Sequence, residues 1–215
     1  MGSLTRDQIV NDAIKRAGNE SLLTEGREWL NDWLDRLYED YRWPEQEQVA
    51  QGSLAIGDTT VSLPSTFSDL WNRRALRLED SDSNFHSLDI VTPDFLDTLV
   101  APDLAGEPTH ALIDFGDSTW RPYPIPDEAY TWHLRFKQKP VRLTADTAPL
   151  FKNDAILKQA VYVSTLQYED DERYASELTI LTRMIELYRK GRNISPNRAG
   201  SVPLSSKFSN PGVYR

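Results

Sequence analysis

His86, His110 and His133 are the chain's only imidazoles. Zinc binding and Ser-His-Asp catalysis both need imidazoles at short fixed spacings or beside a carboxylate. No two of the three lie four residues apart and none sits at ligand spacing from an acid, so neither chemistry is expected. The run Asp80-Ser81-Asp82-Ser83-Asn84 opens like a calcium loop, yet Phe85 stands where Gly is required and Val91 where a bidentate Glu is required. It reads as a polar hairpin tip. Asp114-Phe115-Gly116 matches a short kinase element without the glycine-rich and His-Arg-Asp loops that give it meaning, so Gly116-Asp117 reads as a turn. The acids of "YEDDER" (168–173) read as a solvated bend rather than a divalent-ion site. Paired carboxylates among tryptophans would suit glycoside hydrolysis, but with 33 Asp and Glu residues chance pairs are unavoidable and none is singled out. The chain has no cysteine, which removes disulfides, thiol nucleophiles and thiolate metal sites together. No catalytic residue, metal or cofactor is expected.

Charge is the feature that stands out. The formal net charge is -9, but all 33 acids precede Arg189, and from there on every charge is positive: Arg189, Lys190, Arg192, Arg198, Lys207 and Arg215. With 18 of the 24 basic residues against 33 acids, the body carries -15 and the closing stretch +6. A split of this kind points to a tail that meets an acidic surface, the chain's own or a copy's. An acidic body is poorly suited to gripping duplex phosphates. No apolar run approaches the roughly 20 residues that cross a bilayer, and there is no basic-then-apolar signal pattern, so a soluble protein with no membrane partner is expected. Arg6 stands where a myristoylation signal needs Ser or Thr.

At 215 residues the chain can bury a sizeable core. Thr5-Arg6-Asp7-Gln8 is a capping-box pattern, followed by Ile9, Ala13, Ile14 and Ala17 on one helix face and Gly18 as a stop. A second helix is predicted from about Thr24 to Tyr41, with Trp29, Leu30, Trp33, Leu34, Leu37 and Tyr38 at spacings of three and four and Pro44 beyond its end. Trp29 and Trp33 on one face read as core anchors rather than a sugar platform. Between Gln46 and Thr144 the texture becomes strands and turns. "SLAIGDTTVSLP" predicts a hairpin through Gly57-Asp58, and further strands are expected at 75–78, 85–90, 110–115 and 130–136, with a short helix at Thr92–Val100. Helical periodicity returns after a cap at Asn153 or Asp154. A last helix carries Tyr174, Leu178, Leu181, Ile185 and Tyr188 on a narrow seam and stops at Gly191. The expected fold is α+β: a helical domain from 1–45 and 149–190, a β-rich insertion at 46–148, and an extended basic tail at 191–215.

The order of these features resembles the head-to-tail adaptor proteins of tailed bacteriophages. The resemblance is carried by "GREWLNDWLDRLYEDYRW", "VSLPSTFSDLWNRRAL", "GEPTHALID" and "WRPYPIPDEAYTWHLRFKQKPVRLTADTAPLFKNDAILKQAVYVSTLQYEDD", and it covers most of residues 5–190. It implies a helical bundle interrupted by a β-domain and a structural virion protein without turnover. It further implies a ring, commonly a dodecamer, assembled in the host cytoplasm. That ring extends the portal at the portal vertex, meets a downstream tail protein and lets genomic DNA pass. A ring subunit has head-to-tail interfaces with neighbouring copies. The basic tail of one copy is then expected on the acidic body of the next or on the portal protein, ordering as it binds. Phe208 and Tyr214 would be its apolar anchors, Arg192 and Arg198 its charge-assisted donors, and Lys207 an added charge. The competing readings are a tail-tube or tail-completion protein and, from a different class, a carbohydrate-binding module or hydrolase using Trp71, Trp120 or Trp132 as a stacking platform.

Overall fold

The computed structural model describes residues 4–72, 74–94, 104–192 and 194. Among them are four helices and nine strands in two sheets, an α+β chain that divides into two compact units. One unit comprises Met1–Glu45 with Pro140–Arg215, the other Gln46–Lys139.

The helical unit is built on α1 (Arg6–Ala17), α2 (Leu23–Asp40), α3 (Asp154–Tyr168) and α4 (Tyr174–Gly191). The capping box forms: the Thr5 hydroxyl accepts from the Gln8 backbone N–H and the Gln8 side chain accepts from that of Thr5. Gly18 ends α1 at φ 87°, a conformation that costs glycine nothing. α3 is capped by Asn153, whose side chain accepts from the Ile156 N–H; the adjacent Asp154 instead accepts from Leu4 N–H.

α3 has apolar residues around most of its circumference, with Leu157, Ala160, Val161, Tyr162, Val163 and Leu166 all buried. Such a helix needs neighbours on several sides, and α1, α2 and α4 each pack against it. Their buried faces join in a single apolar cluster. Gly26 lets α1 and α2 approach closely, since a Cβ there would lie 2.9 Å from Val10 Cγ1. Two buried amide side chains of this core are paired. Asn31 accepts from Leu143 N–H, and Gln159 accepts from Arg16 and donates to Glu177.

The segment after Lys139 belongs with these helices because it satisfies the donors exposed at the start of α1. Arg6 N–H donates to the Thr147 carbonyl, Asp7 N–H to that of Ala145 and Arg6 Nη1 to that of Leu143. Asp7 sits in the first turn of α1, bonded to Arg27 of α2 and to Arg6. Burial pushes its carboxyl up, but the hydrogen bonds and charges of Arg27 and Arg6 outweigh that and hold it below the usual carboxylate range. A lowered folded-state value gives stability that is complete above the unfolded value of about 3.9 and is lost as pH falls through the folded one. Asp7→Asn is therefore expected to cost about 1 kcal/mol at neutral pH and to flatten the acid limb of the stability curve. Urea titrations at descending pH that give parallel curves for the two proteins would contradict this.

In the β unit, β1 (Glu47–Leu54), β9 (Tyr130–Gln138), β4 (Leu76–Glu79) and β5 (Phe85–Ser87) lie in that order, and β3 (Phe67–Leu70) also pairs with β9. The second sheet runs β2 (Val61–Ser62), β8 (Thr119–Tyr123), β7 (His110–Asp114), β6 (Asp89–Val91). Tyr130, Trp132, Leu134 and Phe136 alternate along β9 and bury themselves with Leu54, Leu76, Leu78, Ala111, Ile113 and Trp120.

The expected hairpin through Gly57-Asp58 does not form. The turn exists, with Gly57 at φ 80° and Asp58 N–H bonded to the Ala55 carbonyl, but β1 pairs with β9 while β2 pairs with β8. Leu54 and Leu63 are both buried in the shared core and Ile56 is exposed, so the turn carries the chain from one sheet to the other. The run 85–90 likewise divides, with Leu88 buried between β5 in one sheet and β6 in the other. β6 and β7 are parallel, which requires a crossover. The helix expected at Thr92–Val100 falls in that crossover. Pro93 and Asp94 are helical, and residues 95–100 lie outside the described residues.

Candidate interaction surface

The acidic runs and turns whose sequence resembles chemical motifs are occupied by local bonds. Asp80 accepts from the backbone N–H groups of Asp82 and Asn84 and from the Asn84 amide, closing the tip between β4 and β5. Asp114 accepts from Gly116 and Asp117 in the turn between β7 and β8. In "YEDDER", hydrogen bonds from Arg173 bring the Asp171 carboxyl down to about 2. His133 Nε2 lies 2.8 Å from Glu79 across β9 and β4, and His86 Nδ1 3.6 Å from Glu107 in the loop before β7, pairings that spacing along the chain could not reveal. Among the described residues no group of three or more His, Asp or Glu could hold a metal. Trp120 and Trp132 are buried against each other in the β core, so neither can be a sugar-stacking platform, and Trp71 is half-buried. No helix among the described residues is long and apolar enough to cross a membrane.

What the helical unit does present is the root of the basic segment. Trp43, fully buried, meets Phe151 at 4.8 Å and Tyr188 at 5.6 Å between ring centroids and donates its indole N–H to the Leu37 carbonyl. On this knot rests Arg192, which caps α4. Its guanidinium lies 4.7 Å from the Tyr188 centroid and pairs with Glu45, whose side chain is 10% exposed. Ile194 then turns inward, donating its N–H to the Arg189 carbonyl and joining the helical core. Arg192 is thus engaged within its own chain. Arg198, Lys207, Phe208 and Tyr214 lie outside the described residues.

Two further features lie along α2. Glu28, Asp32, Asp35 and Glu39 recur at steps of four, three and four along α2, which places them on one face. Arg142 reaches Glu28 at 3.1 Å and Asp32 at 3.8 Å. Burial first, and then the charges of Asp32 and Glu39, push the Asp35 carboxyl up against the opposing pull of Arg142. Beside this stripe a cleft of about 360 Å³ opens between α2 and α3, lined by Trp29, Asp32, Trp33, Arg36, Ser164, Gln167 and Tyr168. Trp33 is a core residue that donates to Ser164, whereas Trp29 is only half-buried and meets Tyr168 at 5.7 Å, with Tyr168 65% exposed. The two tryptophans share a helix face but not a role. α3 ends at Tyr168, and the cover over Trp29 ends with it.

The family model described as SU10 adaptor protein matches residues 4–200, and the chain belongs to that family. It is a phage adaptor protein, a structural class and a virion component, as the resemblance to head-to-tail adaptors implies. A comparison with curated proteins returns no match.

Proposed function

We propose that this adaptor forms a ring, a dodecamer by analogy with head-to-tail adaptors, that extends the portal and joins the capsid to the tail. The helical unit is the bundle of that assembly and the β unit its insertion. The observation that carries the reading is the segregation of charge: every acid lies before Arg189, and only bases follow. A chain so divided has a donor and an acceptor in one molecule, which is what a heterologous contact between identical copies requires. Arg198, Lys207, Phe208 and Tyr214 are the docking residues of the segment. Arg192 serves as its staple, held by Glu45 and Tyr188. The same segment is the portal-binding element, and the surplus of acids on the body keeps passing DNA from adhering to the channel wall. No bond is made or broken in this role.

The test is to mix the full chain with portal and image the product beside a chain ending at Ile194. That cut leaves Arg192 and Ile194 in place and removes only residues 195–215. The full chain is expected to give rings on portal whose yield falls steeply with salt, and the shortened chain at least about tenfold fewer, since each 1.4 kcal/mol of lost contact is a factor of ten. Equal yields from the two chains would overturn the role given to the segment. Failure of the full chain to form any ring with portal would overturn the ring itself.

A further inference from the structure

We infer that the cleft between α2 and α3 is the receptor for Lys207-Phe208 of a neighbouring copy, with Phe208 seated against Trp29 and Tyr168 and Lys207 on the α2 acidic stripe. The inference rests on the ring reading above and adds the address at which copies meet.

Shape and chemistry agree on the occupant. The cleft, of about 360 Å³, is lined by Trp29, Trp33 and Tyr168 together with polar side chains that include Asp32 and Arg36, a setting for a single aromatic anchor beside charge. Tyr168, at 65% exposure, is among the most exposed large apolar side chains of the molecule. Asp32 forms part of the lining, and Glu28 and Asp35 lie one turn to either side along the same stripe. Arg142 pairs with Glu28 and Asp32, and the carboxylates that follow one another along the stripe make it a setting for an incoming cation. Residues 195–215 supply the complement: they contain no acid, and Phe208 follows directly on Lys207. Phe208 suits the seat better than Tyr214 because it brings no hydroxyl that needs a partner.

Reach extends to a neighbouring copy. The segment departs at Ile194, beside the C-terminal ends of α2 and α4, where Trp43 meets Tyr188. The cleft runs along the middle of α2, so Tyr41 is twelve residues, or about 18 Å, beyond Trp29 and five residues, or about 8 Å, beyond Arg36. From Ile194 to Phe208 is fourteen residues, which extended span up to about 50 Å. Root and receptor are different places on one unit, the arrangement that links copies in series rather than in closed pairs.

The absence of native cysteine makes a clean test. Gln167, half-buried at the cleft, and Ser209, next to Phe208, are changed to cysteine in the full chain, leaving both aromatic partners intact. The Gln167→Cys, Ser209→Cys protein is assembled with portal, oxidised mildly and run on a non-reducing gel, with the rings imaged in parallel. A ladder of disulfide-linked multimers is expected. Adding Phe208→Ala to the same chain should reduce the linked fraction about tenfold, and Lys207→Glu should reduce it as well. Rings that form with no disulfide would remove the cleft as receptor while leaving the ring reading standing. Closure only within single chains would show that each segment covers its own cleft, against the inference. Absence of rings would take both readings down together.

Discussion

Trp43→Ala is expected to destabilise the helical unit by about 3–5 kcal/mol, the range for removing a large aromatic from a closed core. The indole is completely buried, lies edge-on to Phe151 and tilted against Tyr188, and donates its N–H to the Leu37 carbonyl, which also accepts from Tyr41 N–H. Truncation would leave a void beneath Tyr188, and through Tyr188 it would unseat Arg192 from Glu45. Trp43→Phe separates the two contributions. It keeps most of the apolar contact and removes one of the two donors to the Leu37 carbonyl, which still accepts from Tyr41 N–H, for an expected loss of about 0.5–1.5 kcal/mol. Chemical denaturation followed by far-UV circular dichroism measures both. A loss below about 1 kcal/mol for the alanine variant would mean that the surrounding rings collapse into the space, and the knot would not be what fastens the root of the basic segment.

The second large effect is expected at Gly52. On β1 it faces Trp132 of β9, and a Cβ placed there would fall 2.7 Å from Trp132 Cζ2 and 2.9 Å from Nε1. The indole lies over the bare backbone of glycine, a cross-strand arrangement that any side chain would abolish. Gly52→Val must push Trp132 off its seat, and Trp132 is also packed edge-on to Trp120 in the middle of the β core. Strand propensity favours valine, yet overpacking at about 1–3 kcal/mol outweighs a propensity scale spanning about 1 kcal/mol. A cooperative loss of about 2–3 kcal/mol is expected, together with a shift of tryptophan emission toward that of exposed indole. An unchanged emission maximum with unchanged stability would show that the strands can part to admit the side chain.

Much of the helical unit was legible because its signals are local. The capping box at Thr5 and Gln8, the stop at Gly18 and the cap at Asn153 are decided by a few adjacent residues. The β unit hides its topology for the opposite reason. The turn at Gly57-Asp58 is locally correct for a hairpin, but β9 and β8, far along the chain, compete for the strands on either side of it. β8 escaped notice because Pro122 argues against a strand; it is tolerated since β2 pairs only with Trp120 and Thr119 and ends before reaching it. The cleft was invisible for a third reason. Trp29 and Trp33 have the same periodicity, and only the end of α3 at Tyr168 distinguishes a residue that is covered from one left at a mouth. Arg192, expected to serve a partner, has Glu45 within reach only because α4 ends beside the short turn Pro44–Gln46 that follows α2.

The interruption of one unit by the other has a consequence for synthesis. A ribosome releases α1 and α2 first, with Ile9, Ile14, Leu30 and Leu34 lacking the cover that α3 provides in the finished molecule. It then releases the whole of Gln46–Lys139, an uninterrupted stretch that can close on itself, and only afterwards the residues that complete the first pair of helices. The nascent chain therefore finishes its middle before its beginning. The longest-lived sticky surface during translation is the one α3 finally buries, and it is there that a trigger-type chaperone would find its hold.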